Sequence, residues 1–526
     1  MKSLKNYYIR LRDAFTLKFI ILLFITQCFV KGIVFVVFVQ GVFPLLKDMG
    51  IGASDIQLYG ALAMSPWVIK PLFGVISDLV AIGGYHKRYW MLGSTIVGII
   101  GAVMMVVEIR VVAVLVIFLT MIHFEIAIVD LLVEGQYAEM MRTHPHTGSD
   151  IVTLSNGFQQ LGFVIAMSFM GPLADLKLFR VSNIIALVLC ATPILPLLFG
   201  FLPEIKRVRA PFVLVDTLRI RKEWKIIIVV TFTGLSGPAM AAISAYASKW
   251  LGVLCSLIVV TVALLGGFYA FPENRFIVAR VALYQVLAQA SKVSFSSALD
   301  FFYTADESCL PGGPNFSYKF YITTAGVCGS LASLSVVFIY QWFFSKWKFR
   351  SVMLFTTILS GMGGIFDFIV VKRWNITVLG IPDAVFFLVA DDIVHNLVDM
   401  LIWIPSSSII GKCCPKTMES CTYAYLSGIS NFGKMISVIA GALITDMAGI
   451  STLDRRNSTS NCNWQNLEWL VLGGHVILML LISVPACFLI PNASQDSQLL
   501  QEVPQTPVQE DGIMTDIDDT SDILLI

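Results

Sequence analysis

The hydrophobic runs of this chain set its architecture before any single motif is considered. A helix rises about 1.5 Å per residue, so about 20 apolar residues carry it across a bilayer. About fourteen stretches of that kind follow one another: 19–46, 57–80, 89–107, 111–133, 151–172, 180–202, 224–247, 250–271, 276–303, 318–344, 351–371, 381–410, 420–446 and 467–490. They are too long and continuous for barrel strands, which alternate apolar and polar side chains over about ten residues. With 57% hydrophobic and 13% charged residues, the chain is too apolar for a soluble enzyme or a disordered protein of its length. The expected fold is all-α, a polytopic membrane protein of about 14 spans.

The chain repeats itself across its middle. His86-Lys87-Arg88-Tyr89-Trp90-Met91-Leu92 recurs loosely as Lys348-Phe349-Arg350-Ser351-Val352-Met353-Leu354, at an offset of 262 residues. Val129-Asp130-Leu131-Leu132 recurs as Val398-Asp399-Met400-Leu401 at 269, and Gly157 and Gly162 recur as Gly428 and Gly433 at 271. Three matches in one order imply two like halves, the plan of a carrier that rocks about a central site. The repeat places a six-helix half at 19–202 and another at 272–490. It leaves a basic cytoplasmic loop at 203–223 and two inserted helices at 224–271 between them. An even insertion keeps both halves parallel, as in the major facilitator architecture.

Charge sets the orientation. With residues 1–18 as a cytoplasmic tail, the inner segments hold 22 of the 36 Lys and Arg and the outer segments 10. That bias puts both termini in the cytoplasm. The basic start precedes an apolar stretch too long for a cleaved leader, so the first span is read as retained. Residues 491–526, rich in acidic, Ser, Thr and Pro residues, read as a disordered cytoplasmic tail. The sequons at Asn315, Asn375 and Asn457 fall in outer loops and are candidate glycosylation sites. Cys309 and Cys462 both lie in that oxidising space, where a disulfide between them is one of the pairings open to them.

Several stretches resemble one transporter family. Lys70-Pro71-Leu72-Phe73-Gly74-Val75-Ile76-Ser77-Asp78 with its following basic loop resembles the inner-gate motif of the folate–biopterin transporter family, a branch of the major facilitator superfamily. Asp130-Leu131-Leu132-Val133-Glu134-Gly135-Gln136-Tyr137-Ala138-Glu139 resembles that family's signature after the fourth span. Phe302-Tyr303-Thr304-Ala305-Asp306, Gly312-Gly313-Pro314-Asn315-Phe316-Ser317, Cys414-Pro415-Lys416 and Ser430-Asn431-Phe432-Gly433 continue it. The stretch 300–326 is most similar to pteridine carriers of the kinetoplastid type. Gln136 stands where the family often has a basic residue. The resemblance implies uptake of biopterin or folate, with protons. The family also includes carriers of S-adenosylmethionine.

Ionisable residues within a bilayer are costly and mark function by default. Lys31 and Lys292 lie mid-span at the repeat offset of 261, and a lysine there suits a substrate carboxylate or a structural ion pair. Gln285, Gln289, Lys292, Ser296 and Asp300 share one stripe of a helix, as Gln27 and Lys31 do in the first. Such a stripe faces protein or water, never lipid. Asp392, His395 and Asp399 share a face too, answered in the first half by His123, Glu125 and Asp130.

Substrate binding is accordingly expected of Gln27, Lys31, Glu125, Gln160, Gln285, Gln289, Lys292, Ser296 and Asn431. Proton coupling is expected of Asp130, Asp300, Asp392, His395 and Asp399, because a buried carboxylate beside an imidazole titrates near neutrality. Gly74, Asp78, Lys87 and Arg88 sit at the cytoplasmic mouth and read as a gate. No nucleophile–base pair, metal-ligand spacing, cofactor motif or nucleic-acid patch stands out, so an enzyme is not expected. The partners are a small molecule, protons and the lipid bilayer, and the plasma membrane is the expected location. A carrier of another metabolite and a non-transporting membrane sensor are the alternatives.

Overall fold

Each long apolar stretch is helical in the computed structural model, which describes residues 12–143, 148–206, 212–271, 275–413, 419–452 and 462–495. Among them, ten helical segments are long and apolar enough by themselves to cross a bilayer. In chain order the helices are α1 (Leu17–Asp48), α2 (Ala53–Leu79), α3 (Arg88–Val106), α4 (Val112–Thr143), α5 (Gly148–Asp175), α6 (Phe179–Leu198), α7 (Thr217–Tyr246) and α8 (Lys249–Ala270). They continue as α9 (Arg275–Ser291), α10 (Ser296–Tyr303), α11 (319–343), α12 (Phe349–Val371), α13 (383–412), α14 (Glu419–Met447) and α15 (Leu467–Leu489). Exposed Ile, Leu and Val side chains such as Ile96, Ile184, Val188, Leu254 and Leu481 give the bundle its lipid-facing coat. Exposed Trp and Tyr near helix ends, including Trp224, Tyr246, Trp250 and Trp469, suit the two membrane–water interfaces.

Helices approach closely where a glycine removes the side chain, as membrane bundles require. A Cβ on Gly162 of α5 would lie 2.2 Å from the Cys28 carbonyl oxygen and 2.7 Å from the Gly32 Cα of α1. In the second half, Gly433 of α14 sits against α9, where a Cβ would lie 3.1 Å from the Gln289 Cβ and the Val286 Cα. The two contacts join the same repeat positions in each half.

The inserted helices α7 and α8 cover the seam between the halves. Gly428 of α14 packs on Pro71 of α2, where an added Cβ would come within 2.5 Å of the ring. Along that seam Gly237 of α7 meets Val68 of α2, and the Tyr425 hydroxyl of α14 donates to the Ala263 carbonyl of α8 at 3.1 Å. Asp216 caps α7, accepting from the Arg219 N–H at 3.0 Å, so the helix begins earlier than the hydrophobic pattern alone suggests. A short antiparallel ribbon, β1 (Val80–Ile82) with β2 (Val213–Val215), ties the approach to α7 to the α2–α3 loop. That loop turns through Gly83 and Gly84, whose φ values of 58° and 84° favour glycine.

At the opposite end the halves are tied directly. The Lys47 ammonium donates to the Thr304 carbonyl and hydroxyl, both at 2.8 Å, beneath the rings of Phe43, Phe301 and Tyr318. The Asp175 carboxylate accepts from the Tyr318 and Lys319 N–H groups at 2.7 and 2.8 Å. Lys249, the first residue of α8, reaches Ser54 at 2.9 Å, Asp55 at 3.2 Å and Asp446, bridging α2 and α14. Cys309 and Cys462 form a disulfide across this face, with Cα atoms 5.3 Å apart.

The stretch 276–303, expected as one helix, is broken between Ser291 and Ser296. The freed carbonyls find new donors. Ser437 donates to the Lys292 carbonyl, and the Gln57 amide of α2 donates to the Ser294 carbonyl at 2.7 Å. Non-helical backbone at membrane depth survives only where protein or water supplies such partners. In α1 the matching region, Ile25–Val34, is wound as a π-helix. Both irregularities hold the repeat-related lysines.

Candidate translocation site

Lys31 and Lys292 are each paired with the aspartate that the repeat assigns them. Lys31 Nζ lies 2.8 Å from Asp130 Oδ1, and Lys292 Nζ lies 2.8 Å from Asp399 Oδ1. The first pair belongs to a larger cluster. Lys70 approaches the other Asp130 oxygen at 2.6 Å, and Glu134 lies 3.5 Å from Lys31 and 3.0 Å from Lys70. The Gln27 amide donates to Asp130 Oδ1 at 3.1 Å. Two lysines are thus balanced by two carboxylates, which offsets the desolvation of each ion.

The second cluster is more open. The Asp399 side chain is 59% exposed and that of Lys292 33%, although both lie mid-chain in the bundle. Charged groups cannot meet hydrocarbon at that depth, so this exposure marks a water-accessible space between helices. Behind it lies a network that the sequence pattern did not single out. His475 Nδ1 lies 2.7 Å from Asp367 Oδ2, and His395 Nδ1 lies 3.8 Å from Asp367 Oδ1. His475 stacks on Phe295, in the α9–α10 break. Both His475 and Asp392 lie in π-helical turns, a form of helix frequent at functional sites.

Other expected site residues fall in several places. Gln285 exchanges hydrogen bonds with Ser406 at 3.0 and 3.2 Å and accepts from Ser430 at 3.4 Å, locking α9 to α13 and α14. Gln289 packs under Gly433. Asn431 donates to the Trp67 carbonyl at 3.0 Å, across the seam. Ser296 accepts from the Ser294 hydroxyl at 3.3 Å. Asp392 accepts from the Asn396 amide at 3.2 Å, and its other oxygen is buried without a partner. Asp300 accepts from the Tyr321 hydroxyl at 2.6 Å, beside Lys47 at the end of the bundle where the halves are tied directly.

Glu125 points elsewhere. It is fully buried against Gly98 of α3, with Thr95 and Cys190 beside it, and so faces the interior of the first half. The repeat had grouped it with Asp130, but five residues along a helix turn it to another face. At the end of the bundle that carries the β1–β2 ribbon, Asp78 lies 3.6 Å from Arg219 of α7, while Lys87 pairs with Glu139 at 2.8 Å and Gln136 at 3.1 Å. The Arg88 N–H donates to Glu204 at 3.1 Å, and Gly74 packs against Leu131. Asn315 is exposed with a φ of 46°. Asn375 is fully buried, its amide donating to Asp383 at 2.7 Å, which leaves no space for a glycan in the folded chain. Asn457, Cys414-Pro415-Lys416, residues 1–11 and the tail from 496 lie outside the described residues.

Three neutral polar atoms complete the region. Gln27 Oε1, Gln160 Oε1 and Trp67 Nε1 are buried with no hydrogen-bond partner. Trp67 lies beneath the Lys70 ammonium, 5.4 Å from the ring centre, and packs edge-on to Phe35 at 5.8 Å. Phe35 in turn stacks on Phe163 at 6.1 Å. Two acceptors and one donor thus keep unspent hydrogen-bonding capacity, and Trp67, Phe35 and Phe163 form a run of aromatic rings beside Lys70.

The fold and this site define a membrane transporter of the major facilitator type. Solved structures agree on the fold. A POT family transporter in complex with a thioalcohol-conjugated peptide superposes with a TM-score of 0.65 at 13% identity, covering 90% of this chain and 96% of that one. A nucleoside transporter, NupG, superposes with a TM-score of 0.56 at 14% identity, covering 90% and 99%. The chain belongs to the BT1 family, which matches residues 31–505. It is 25% identical to a probable folate-biopterin transporter of Arabidopsis thaliana, over 90% of this chain and 84% of the relative. It is 24% identical to a folate-biopterin transporter of Synechocystis sp., over 80% and 75%. It is 23% identical to a folate transporter of Plasmodium falciparum, over 86% and 76%.

Proposed function

We propose that this protein carries a pteridine, folate or biopterin, across a membrane by alternating access coupled to protons. The observation that carries the reading is the pair of repeat-related Lys–Asp bridges, Lys31–Asp130 and Lys292–Asp399, at one level of two like halves. Each bridge is a switch: an acceptor group of the substrate competes for the lysine, and a proton competes for the aspartate. Asp392, His395 and Asp300 are the further acceptors for coupled protons. The aromatic and amide groups around Trp67, Gln27 and Gln160 suit a flat ring with N–H donors on its edge. The ties through Lys47, Gln57 and Asp175 correspond to an inward-facing state, in which the outer mouth is shut.

In this reading α5, α9 with α10, α11 and α13 also cross the membrane and bring the spans to fourteen. Residues 19–202 and 272–490 are the rocking halves, and 224–271 rides on their seam. Both termini are cytoplasmic, and the plasma membrane is the site of uptake. Asp78, Lys87 and Arg88, with Gly74 close by, hold the inner mouth in the opposite state. Uptake of labelled folate, biopterin and S-adenosylmethionine into cells lacking their own carriers tests the substrate. Saturable uptake of a pteridine supports the reading. Uptake of S-adenosylmethionine alone, or of none of the three, overturns it.

A further inference from the structure

The bundle holds four lysines in mid-span positions, Lys31, Lys70, Lys292 and Lys434. Three are within 3 Å of a carboxylate. The fourth, Lys434 of α14, makes no ion pair or hydrogen bond among the described residues, yet it lies within electrostatic reach of Asp399 and Lys292. Its neighbours fix where it points. Ser430 and Ser437 bond to Gln285 and to the Lys292 carbonyl, and Asn431 bonds to Trp67 across the seam. Tyr425, nine residues earlier, packs on α8 at the outside of the bundle. Nine residues are two and a half helical turns, so Lys434 faces the opposite way, into the space between the halves. It is exposed there. Facing that water-accessible space with its charge uncommitted to any carboxylate among the described residues, the Lys434 ammonium is available to an anion that enters it.

We propose that Lys434 is the anion-binding group of the translocation site and takes the carboxylate tail of a carboxylate-bearing pteridine. The substrate then lies in one orientation. Its ring system sits toward the first half, against Trp67 and the free Gln27 and Gln160 oxygens, and its acidic tail crosses toward the second half. The pairing pattern favours this direction. Both first-half lysines are bridged to carboxylates, whereas in the second half Lys292 is bridged to Asp399 at 2.8 Å and Lys434 to none among the described residues. This inference rests on the pteridine reading and refines it, because it predicts that folate and biopterin are not handled alike.

The test compares KM for folate and for biopterin in the full-length protein, for wild type, Lys434→Gln and Lys434→Arg, at matched surface level. Loss of one charge-assisted hydrogen bond weakens binding by about ten-fold or more. Lys434→Gln should therefore raise KM for folate by about ten-fold or more and leave biopterin within about two-fold. Lys434→Arg should keep most of the folate affinity. Equal effects on both substrates, or on neither, overturn the inference while the pteridine reading stands. A wild type that carries biopterin but not folate overturns it as well. A wild type that carries neither overturns the functional reading, and this inference with it.

Discussion

Asp130 is the hub of the buried charge, so its neutralisation has a calculable effect. It is 2% exposed and receives Lys31 at 2.8 Å, Lys70 at 2.6 Å and Gln27 at 3.1 Å. Asp130→Asn leaves two lysines with the single carboxylate of Glu134, hence one uncompensated positive charge. A lysine at the centre of a membrane helix costs about 2.5–3.5 kcal/mol, and breaking a buried pair costs about 3–5 kcal/mol. A loss of about 3 kcal/mol is expected. Removing one lysine as well should restore the balance. In Lys31→Met/Asp130→Asn, Lys70 keeps Glu134 at 3.0 Å, and about 2 kcal/mol should return, a coupling typical of contacting residues. Equilibrium unfolding in mixed micelles, followed by helicity, measures both variants without reference to transport. A single mutant within about 0.5 kcal/mol of wild type, the scatter expected of unconnected sites, would refute the account of the cluster, and so would strictly additive losses in the double mutant.

Three further outcomes follow from the same structure. Alkylation of intact protein should spare Cys309 and Cys462 until a reductant is added, and replacing both with Ser should lower stability by about 2–4 kcal/mol; prompt labelling of either without reductant contradicts the bridge. Gly162→Val should abolish folded protein, since a Cβ there meets the Cys28 carbonyl at 2.2 Å, whereas Gly157→Val, with open space around it, should be tolerated; equal yields in size-exclusion chromatography would argue against the α1–α5 contact. If protons enter with substrate as proposed, an acid-outside gradient should accelerate uptake and Asp399→Asn should remove that acceleration; uptake indifferent to the gradient rejects the symport.

Much of the fold was legible because bilayer thickness dictates helix length, and apolar runs of that length are unmistakable. The α9–α10 break was not legible, because its carbonyls are satisfied by Gln57 and Ser437, which are far away in sequence. The start of α7 was missed because its first turns are polar and its cap, Asp216, lies in the basic loop. In the site, the repeat offset led directly to Lys31, Lys292, Asp130 and Asp399. It also hid what has no counterpart. Lys70 and Lys434 are mid-span lysines by the same rule, yet their repeat partners are apolar, so the repeat offset does not point to them. Asp367 and His475 lie on different helices, and only packing reveals their 2.7 Å contact. Glu125 shows the reverse error: five positions from Asp130 in sequence, it lies on another face of α4.

Counterflow in proteoliposomes separates two like halves rocking about one pteridine site from a pore. Vesicles holding the purified protein are preloaded with unlabelled folate or biopterin and diluted into a trace of the labelled compound. An alternating-access carrier reorients faster when loaded, so labelled substrate should accumulate transiently above its equilibrium level. Uptake that never exceeds equilibrium, and that rises linearly with concentration without saturating, would contradict the account and indicate a pore.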